Sequence, residues 1–230
     1  MTPLHLVARA LSAKLLDALA PPACAACDAR LGRRAVFCSP CAHAVMPAGR
    51  HVLDGGPQVI AAALFGGPVA LALRRLKYAG RGDLAAPLGH LARRAAREAG
   101  LAADVVVPVP LHPARLAERG YNQAALLGAE VAAELGAPLA ARALGRTRNT
   151  AQQARLDRAG RLANVTGAIR VRAPERVRGL RIALVDDVAT TGATLSTCSA
   201  ALREAGALSV TAVVVARTGH GVPREDDEAG

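Results

Sequence analysis

Residues 184–194 read LVDDVATTGAT, and this stretch decides the fold that we expect. The apolar run 182–185 predicts a buried strand, and residues 194–205 have the pattern of a helix that ends at Gly206. Between them lies a short loop of small hydroxyl residues around Gly192. A loop at the N-terminus of a helix offers backbone N–H groups and the positive end of the helix dipole, so it favours a bound phosphate.

The two adjacent carboxylates, Asp186 and Asp187, do not suit a phosphate, because like charges repel. We expect them to face a divalent cation or hydroxyl groups that donate to them. A ligand with a phosphate on one side and a diol, usually with Mg²⁺, on the other is a ribose 5-phosphate. The alternatives are an acid pair of another metal-dependent class of protein and an ordinary Thr-Thr-Gly turn.

Strand and helix patterns alternate on both sides of this stretch. We expect a helix over 122–135 that ends at Gly136, and strands over 104–108, 141–144, 168–171, 182–185 and 210–216. The alternation predicts an α/β protein with a mostly parallel sheet and flanking helices. Ligands of such sheets bind beyond the carboxyl ends of the strands, where the acid pair and the segment 107–110 both lie.

Four of the five cysteines form two CxxC pairs, namely Cys24, Cys27, Cys38 and Cys41. Each pair can offer two thiolates to a metal, and Zn²⁺ takes four in a tetrahedron, so the spacing predicts a zinc ribbon with a structural Zn²⁺. Disulfides are the alternative, and they are uncommon in cytosolic proteins. Cys198 lies alone in an apolar helical pattern and is expected to be a buried small hydrophobe.

The charge favours an anionic partner. The net charge is +11, and residues 1–100 carry 13 basic and 5 acidic side chains, whereas residues 181–230 carry 4 and 7. A nucleic acid or a phosphorylated small molecule would suit this balance, and a protein that is merely basic is the alternative. We expect a cytoplasmic protein without a membrane span, because no apolar run approaches ~20 residues and the apolar start, interrupted by charges, predicts an amphipathic helix.

Together these motifs resemble the ComF family, which are bacterial proteins linked to natural transformation. LVDDVATTGAT is similar to the phosphoribosyl-pyrophosphate (PRPP) motif of type I phosphoribosyltransferases. The resemblance covers about residues 15–218 and also rests on the cysteine pairs, RRLKYAGRGDLAAPLG (74–89), VPVPLHPARLAERGYNQA (107–124) and RTRNTAQQARLDRAGRLANV (146–165). It implies a type I phosphoribosyltransferase-like sheet with a small N-terminal zinc-ribbon lobe.

The resemblance also implies roles for single residues. Asp186 and Asp187 would hold the ribose hydroxyls of PRPP, which binds with Mg²⁺. The 5-phosphate would lie on Ala189, Thr190, Thr191, Gly192, Ala193 and Thr194. The pyrophosphate loop would be Val107, Pro108, Val109 and Pro110, with His112, Arg115 and Arg119 just beyond it. A mobile flap would carry Arg146, Arg148, Arg155 and Arg161, for which a solvated loop is the alternative.

We therefore expect an N-terminal helix and zinc-ribbon lobe at 1–55, a phosphoribosyltransferase-like domain at 56–220 and a disordered tail at 221–230. Glutamine-dependent chemistry is not expected, because the zinc lobe stands where the related amidophosphoribosyltransferases have a glutaminase. The sequence identifies neither a catalytic residue nor an acceptor.

Two functional hypotheses remain open at this point. In the first, the protein binds PRPP or a related ribose 5-phosphate with Mg²⁺ and acts in DNA uptake, with or without phosphoribosyltransferase activity. In the second, it is a non-catalytic protein that binds single-stranded DNA or a competence helicase, and its PRPP site is a sensor. The expected DNA surface draws on 11 arginines from Arg142 to Arg181 and on a second basic group around Tyr78, which consists of Arg74, Arg75, Lys77 and Arg81.

Overall fold

The computed structural model describes residues 22–32, 35–147 and 168–219. Within these residues the chain forms six α-helices and seven strands, numbered here in chain order. The helices are α1 (Ser39–His43), α2 (Gly67–Tyr78), α3 (Ala85–Glu98), α4 (Pro113–Arg119), α5 (Gln123–Leu135) and α6 (Ala193–Glu204). The strands are β1 (Pro47–Val52), β2 (Gln58–Leu64), β3 (Val105–Pro108), β4 (Leu144–Arg146), β5 (Ile169–Val171), β6 (Arg181–Ala189) and β7 (Ser209–Arg217).

Five strands form the central sheet in the order β1-β2-β7-β6-β3. β2, β7, β6 and β3 run parallel, and β1 pairs antiparallel with β2 at one edge. The parallel strands are rich in valine and alanine, as expected for strands that are buried on both faces. The sequence prediction of a mostly parallel α/β sheet with flanking helices is confirmed.

Helices cover the two faces of this sheet with separate apolar cores. One core combines Leu73 of α2, Leu88 of α3 and Leu127 of α5 with alternate residues of the central strands. The other core contains Leu195 and Leu202 of α6. Because neighbouring residues of β6 point to opposite faces, this one strand contributes to both cores and is fixed from both sides.

The cysteine segment packs against the first core. Cys24, Ala25, Ala26 and Phe37 are all buried in the same cluster as α2 and α3. The chain then runs directly into β1 and the central sheet. The four-cysteine segment therefore rests on the same apolar core as the helices that flank the sheet.

The helix predicted over 122–135 is confirmed as α5, and so is its predicted end at Gly136. The side chain of Asn122 caps the first turn by accepting a hydrogen bond from the Ala124 N–H at 3.0 Å. Gly136 ends the helix in the left-handed region, at a φ of 60°.

Two of the predicted strands differ from the observed ones. β6 continues to Ala189, past the predicted end at 185, because its pairing with β7 continues to Arg217. The strand predicted over 141–144 is wrong in position: β4 begins at Leu144, and it pairs with β5 in a separate antiparallel two-stranded sheet.

The amphipathic helix predicted near the N-terminus and the predicted tail lie outside the described residues. Within the part of the chain that the structure describes, no helix combines the length and the apolar character that crossing a membrane would require.

Candidate functional site

Asp186 and Asp187 lie on β6 just beyond the point where β3 stops pairing with it. The last pair on that side joins Pro108 to Val185, whereas the pairing with β7 continues to Ala189. Open α/β sheets bind ligands outside the carboxyl ends of their strands, where neighbouring strands separate. The two acids are therefore part of the strand, although the sequence analysis placed them after it.

The carboxylate of Asp186 lies in surroundings that disfavour its charge. Its Oδ1 accepts a hydrogen bond from the backbone N–H of Asp187 at 2.8 Å. Burial, followed by the neighbouring charge of Asp187, raises the pKa of Asp186 well above its usual value. A cation or a donating hydroxyl beside this carboxylate would stabilise its ionised form, so such a group is the expected ligand.

The basic partner of Asp187 is Lys77, in the last turn of α2. Asp187 is only 3% exposed, and its Oδ2 forms an ion pair with the Lys77 Nζ. Burial acts to lower the pKa of Lys77, but the charge of Asp187 outweighs it, so this pKa lies above its usual value. Lys77 was expected on a DNA surface and not at this site, because α2 and β6 are distant along the chain.

The loop after β6 has the backbone geometry of a tight turn into α6. Gly192 adopts a φ of 74°, and a Cβ atom built on it would lie 2.5 Å from the Leu53 Cδ1, so only glycine fits there. The Thr191 hydroxyl accepts a hydrogen bond from the Ala193 N–H at 3.4 Å, and α6 begins at Ala193. The positive end of the α6 dipole therefore faces this loop, as the phosphate hypothesis requires.

A basic cavity of about 180 Å³ lies next to the acid pair. Lys77 joins the two, because it lines the cavity and also contacts Asp187. The remaining lining residues are Tyr78, Leu111, His112, Arg115, Arg119, Gln123 and Arg146. With four basic side chains in its wall, this cavity is suited to a compact polyanion.

Two arginines of the cavity are held by specific contacts. Arg119 lies over the ring of Tyr78, at 5.5 Å from its centroid, and donates a hydrogen bond to the Gln123 Oε1 at 2.5 Å. Burial lowers the pKa of Arg146, and the charge of Asp186 opposes part of that shift. The other three arginines assigned to the flap lie at positions outside the described residues: Arg148, Arg155 and Arg161.

The four residues assigned to the pyrophosphate loop are buried: Val107, Pro108, Val109 and Pro110. The first two end β3, the Val109 N–H donates to the Val185 carbonyl at 2.8 Å, and its own carbonyl accepts from the Asn122 side chain at 3.1 Å. The wall of the basic cavity begins one residue later, at Leu111. This segment therefore fixes the chain that carries His112 and Arg115 into the cavity.

A second cavity, of about 190 Å³, lies beside Thr190 and Thr191. β7 ends there at Arg217, and the hairpin between β1 and β2 supplies Leu53 and Asp54. The Thr218 hydroxyl donates to the Thr190 carbonyl at 3.1 Å and so ties the end of β7 to the loop.

The four paired cysteines converge on one point. Their sulfur atoms all lie within 4.8 Å of one another, and the Sγ atoms of Cys27 and Cys38 are 3.6 Å apart. Zn–S bonds of about 2.3 Å in a tetrahedron place the sulfurs about 3.8 Å apart, so the cluster has the size that a zinc ion needs. The predicted ligand set of Cys24, Cys27, Cys38 and Cys41 therefore fits a zinc ribbon.

The pKa values of two of these thiols diverge because their surroundings differ. Burial acts to raise the pKa of Cys24, yet backbone hydrogen bonds, first among them that of Cys38, lower it to about 6. Burial and then the neighbouring sulfurs raise the pKa of Cys41 to about 12. A cation among the four sulfurs would stabilise all four as thiolates.

Comparisons with known proteins identify a domain family and several relatives of this chain. The phosphoribosyl transferase domain family matches residues 88–229. The DNA utilization protein YhgH of Salmonella typhimurium is 32% identical over 206 residues, which cover 85% of this chain and 90% of that protein. Competence protein F of Haemophilus influenzae is 32% identical over 145 residues, or 60% of this chain and 63% of that one.

The chain belongs to the ComF family. Among solved structures, the B. subtilis glutamine PRPP amidotransferase superimposes with a TM-score of 0.41 and is 24% identical, over 60% of this chain and 30% of that longer one. The allosteric regulatory enzyme of purine biosynthesis gives the same TM-score and identity, over 57% of this chain and 26% of that chain.

The sequence motifs of this ComF protein lie in two places in the structure. At the carboxyl end of the sheet, the acid pair adjoins the basic cavity through Lys77 and leads along the chain into the loop, which lines the second cavity. The cysteine cluster lies elsewhere and touches the motif RRLKYAGRGD through Asp28, whose carboxylate oxygens lie 2.8 Å from the Arg75 guanidinium and 3.3 Å from that of Arg81. Two arginines that were assigned to a DNA surface are therefore ion-paired to the cysteine segment.

Proposed function

We propose that this ComF protein binds PRPP or a closely related ribose 5-phosphate together with Mg²⁺. The observation that carries the proposal is the meeting of opposite charges at Lys77, where an acid pair with one buried member, Asp187, adjoins a cavity with four basic residues. A simple phosphate would need only the basic groups. A sugar phosphate with a free diol accounts for both the acids and the cations.

Each part of the site has a chemical task in this proposal. Asp186 and Asp187 accept hydrogen bonds from ribose hydroxyls, and their carboxylates would also supply oxygen ligands to the Mg²⁺ that accompanies the ligand. The loop around Gly192 donates backbone N–H groups to the 5-phosphate. Lys77, Arg115, Arg119 and Arg146 neutralise the pyrophosphate through charge-assisted hydrogen bonds.

If the bound PRPP reacts, the C1–O bond to pyrophosphate breaks as an acceptor forms its own bond to C1. The sugar carries positive charge in the transition state, and pyrophosphate leaves with the bonding electron pair. The basic cavity stabilises the charge on the leaving group, and the fixed positions of both ends of the ligand hold C1 in place.

A thermal-shift measurement tests the proposed ligand. With Mg²⁺ present and PRPP at ~100 times its dissociation constant, mass action stabilises the native state by about 2.7 kcal/mol, or roughly 5–10 °C for a chain of this size. Asp186→Asn combined with Asp187→Asn should abolish this shift while the variant stays folded. A full shift in the folded double variant would overturn the assignment of the acid pair.

We further propose that the cysteine cluster binds one structural Zn²⁺. The fit of the four sulfurs to a tetrahedron supports it, as does the small apolar content of the segment that carries them. The free energy of metal binding would then hold Cys24 and its neighbours against the core below α2.

A second candidate function is binding of single-stranded DNA in a protein of DNA uptake. Two observations favour it: the relatives are named DNA utilization protein and Competence protein F, and the net charge is +11. Tyr78 is 72% exposed next to Arg119, so its ring could stack on a base. A competence helicase is the corresponding protein partner, and the ribose-phosphate site would then act as a sensor.

A further inference from the structure

Lys77 occupies the place where the acid pair would otherwise meet a metal cation. Its Nζ contacts the Asp187 Oδ2, an atom that is fully buried and accepts no hydrogen bond from another described residue. The Lys77 side chain is 24% exposed, and its exposed part belongs to the wall of the basic cavity. One ammonium group therefore contacts the acid pair and also faces the basic cavity.

The charge balance explains why this position matters. Two adjacent carboxylates, one of them buried, repel each other, and the Lys77 ammonium offsets that repulsion for both. A divalent cation that approaches Asp187 must displace or repel this ammonium at a distance of a few ångströms. At such distances, inside a partly buried site, one unit charge alters metal affinity by an order of magnitude or more.

We propose that Lys77 is an internal counter-ion that keeps divalent cations off the acid pair until an anionic ligand arrives. The inference rests on the proposed function and makes Lys77 a positioning residue for it. An incoming pyrophosphate offers the ammonium a new partner in the cavity, and the movement of Lys77 toward it leaves Asp187 available to hydroxyls and metal. Binding of metal and binding of anion would then favour each other to the same degree, as linkage requires.

Binding of Mn²⁺ alone, measured by electron paramagnetic resonance as a stand-in for Mg²⁺, tests the inference without PRPP. The wild type should bind Mn²⁺ weakly, and Lys77→Met, which keeps the length of the side chain but not its charge, should bind it at least about tenfold more tightly. The matched control is Arg74→Met, which removes one positive charge from an exposed position of the same helix. That control should bind Mn²⁺ as weakly as the wild type.

Equal Mn²⁺ affinity in the wild type and Lys77→Met would overturn the inference, and so would an equal gain in the Arg74→Met control, since that gain would reflect net charge alone. Lys77→Gln, which keeps a donor to Asp187, serves the same comparison if Lys77→Met does not fold. The proposed function fails separately, when PRPP with Mg²⁺ does not stabilise the wild type. The two failures are therefore distinguishable.

Discussion

At the scale of single residues, the site holds a charge that the fold does not favour. Asp186 has a raised pKa because of burial and then the charge of Asp187. A carboxylate whose pKa is higher in the folded than in the unfolded protein makes its full contribution to stability below the unfolded value of about 3.9, and that contribution is lost as the pH rises through the folded pKa. At neutral pH the free protein therefore carries a stability cost at this position.

Asp186→Asn should consequently stabilise the ligand-free protein at pH 7.5, while the response to PRPP is lost. The asparagine oxygen can still accept the hydrogen bond from the Asp187 N–H. Chemical denaturation from pH 4 to 8 measures this, and the gain should vanish toward pH 4, where the wild-type carboxyl is protonated. Asp83→Asn is a control that should change stability in the opposite direction. A hydrogen bond from Arg81 lowers the pKa of Asp83, so its removal should destabilise the protein at pH 7.5.

A gain in the stability of Asp186→Asn that stays constant with pH would contradict the electrostatic explanation.

The sequence located Asp186 and Asp187 because they stand together in a recognisable strand-to-helix motif. It did not locate Lys77 as their partner, since only the packing of α2 against the sheet brings the two segments together. Pairings between distant segments leave no local pattern that periodicity or spacing could detect.

At the scale of the elements, α2 connects the cysteine segment with the site. Its last turn carries Arg75, which is paired with Asp28 at 2.8 Å, and Lys77, which is paired with Asp187. Its Leu76 carbonyl accepts a hydrogen bond from the Tyr121 hydroxyl. Three neighbouring residues of one turn thus contact the cysteine segment, the start of α5 and β6.

We therefore expect one Zn²⁺ per chain, and we expect the metal segment to stabilise the last turn of α2. Elemental analysis should find the zinc, and Asp28→Asn should retain it while amide hydrogens near Arg75 and Leu76 exchange faster. The loss in stability should be about 1 kcal/mol or less, because both ion pairs of Asp28 are partly exposed. Glu98→Gln removes an exposed ion pair on α3 as a control. Zinc-free folded protein, or unchanged exchange in α2, would contradict this view.

The strands show what local patterns can and cannot determine. Apolar runs identified β3, β6 and β7, whose central residues are buried. The end of β6 was placed too early because two aspartates are poor strand formers, whereas pairing with β7 holds them in the strand. β4 and β5 lie outside the central sheet and are three residues long, so their periodicity was too short to place β4 correctly.

At the scale of the whole molecule, the basic excess has two possible uses, the ribose-phosphate site and a nucleic acid. The structure engages several of the basic residues around Tyr78 in ion pairs, since Arg75 and Arg81 contact Asp28 and Lys77 contacts Asp187. Fewer of these basic residues are therefore available to contact single-stranded DNA than their number in the sequence suggested.

For the DNA hypothesis we expect sequence-independent binding of an unstructured oligonucleotide. With about five phosphate contacts, the slope of log K against log salt should be near −3.5 in a fluorescence-anisotropy titration. Arg74→Ala with Arg75→Ala should weaken this binding and leave the PRPP response intact. If the oligonucleotide does not bind even at low salt, the DNA hypothesis is wrong and only the small-molecule function remains.

The central claim, a ribose-phosphate site between an acid pair and a basic cavity, is tested most directly by isothermal titration calorimetry with Mg²⁺ present. PRPP should bind once per chain, and ribose 5-phosphate should bind at least about tenfold more weakly because it lacks the pyrophosphate that we expect to contact Lys77, Arg115 and Arg119. The folded double variant Asp186→Asn with Asp187→Asn should give no saturable heat with PRPP. The account would be contradicted if folded wild-type protein gave no saturable heat, or if the double variant bound PRPP as tightly as the wild type.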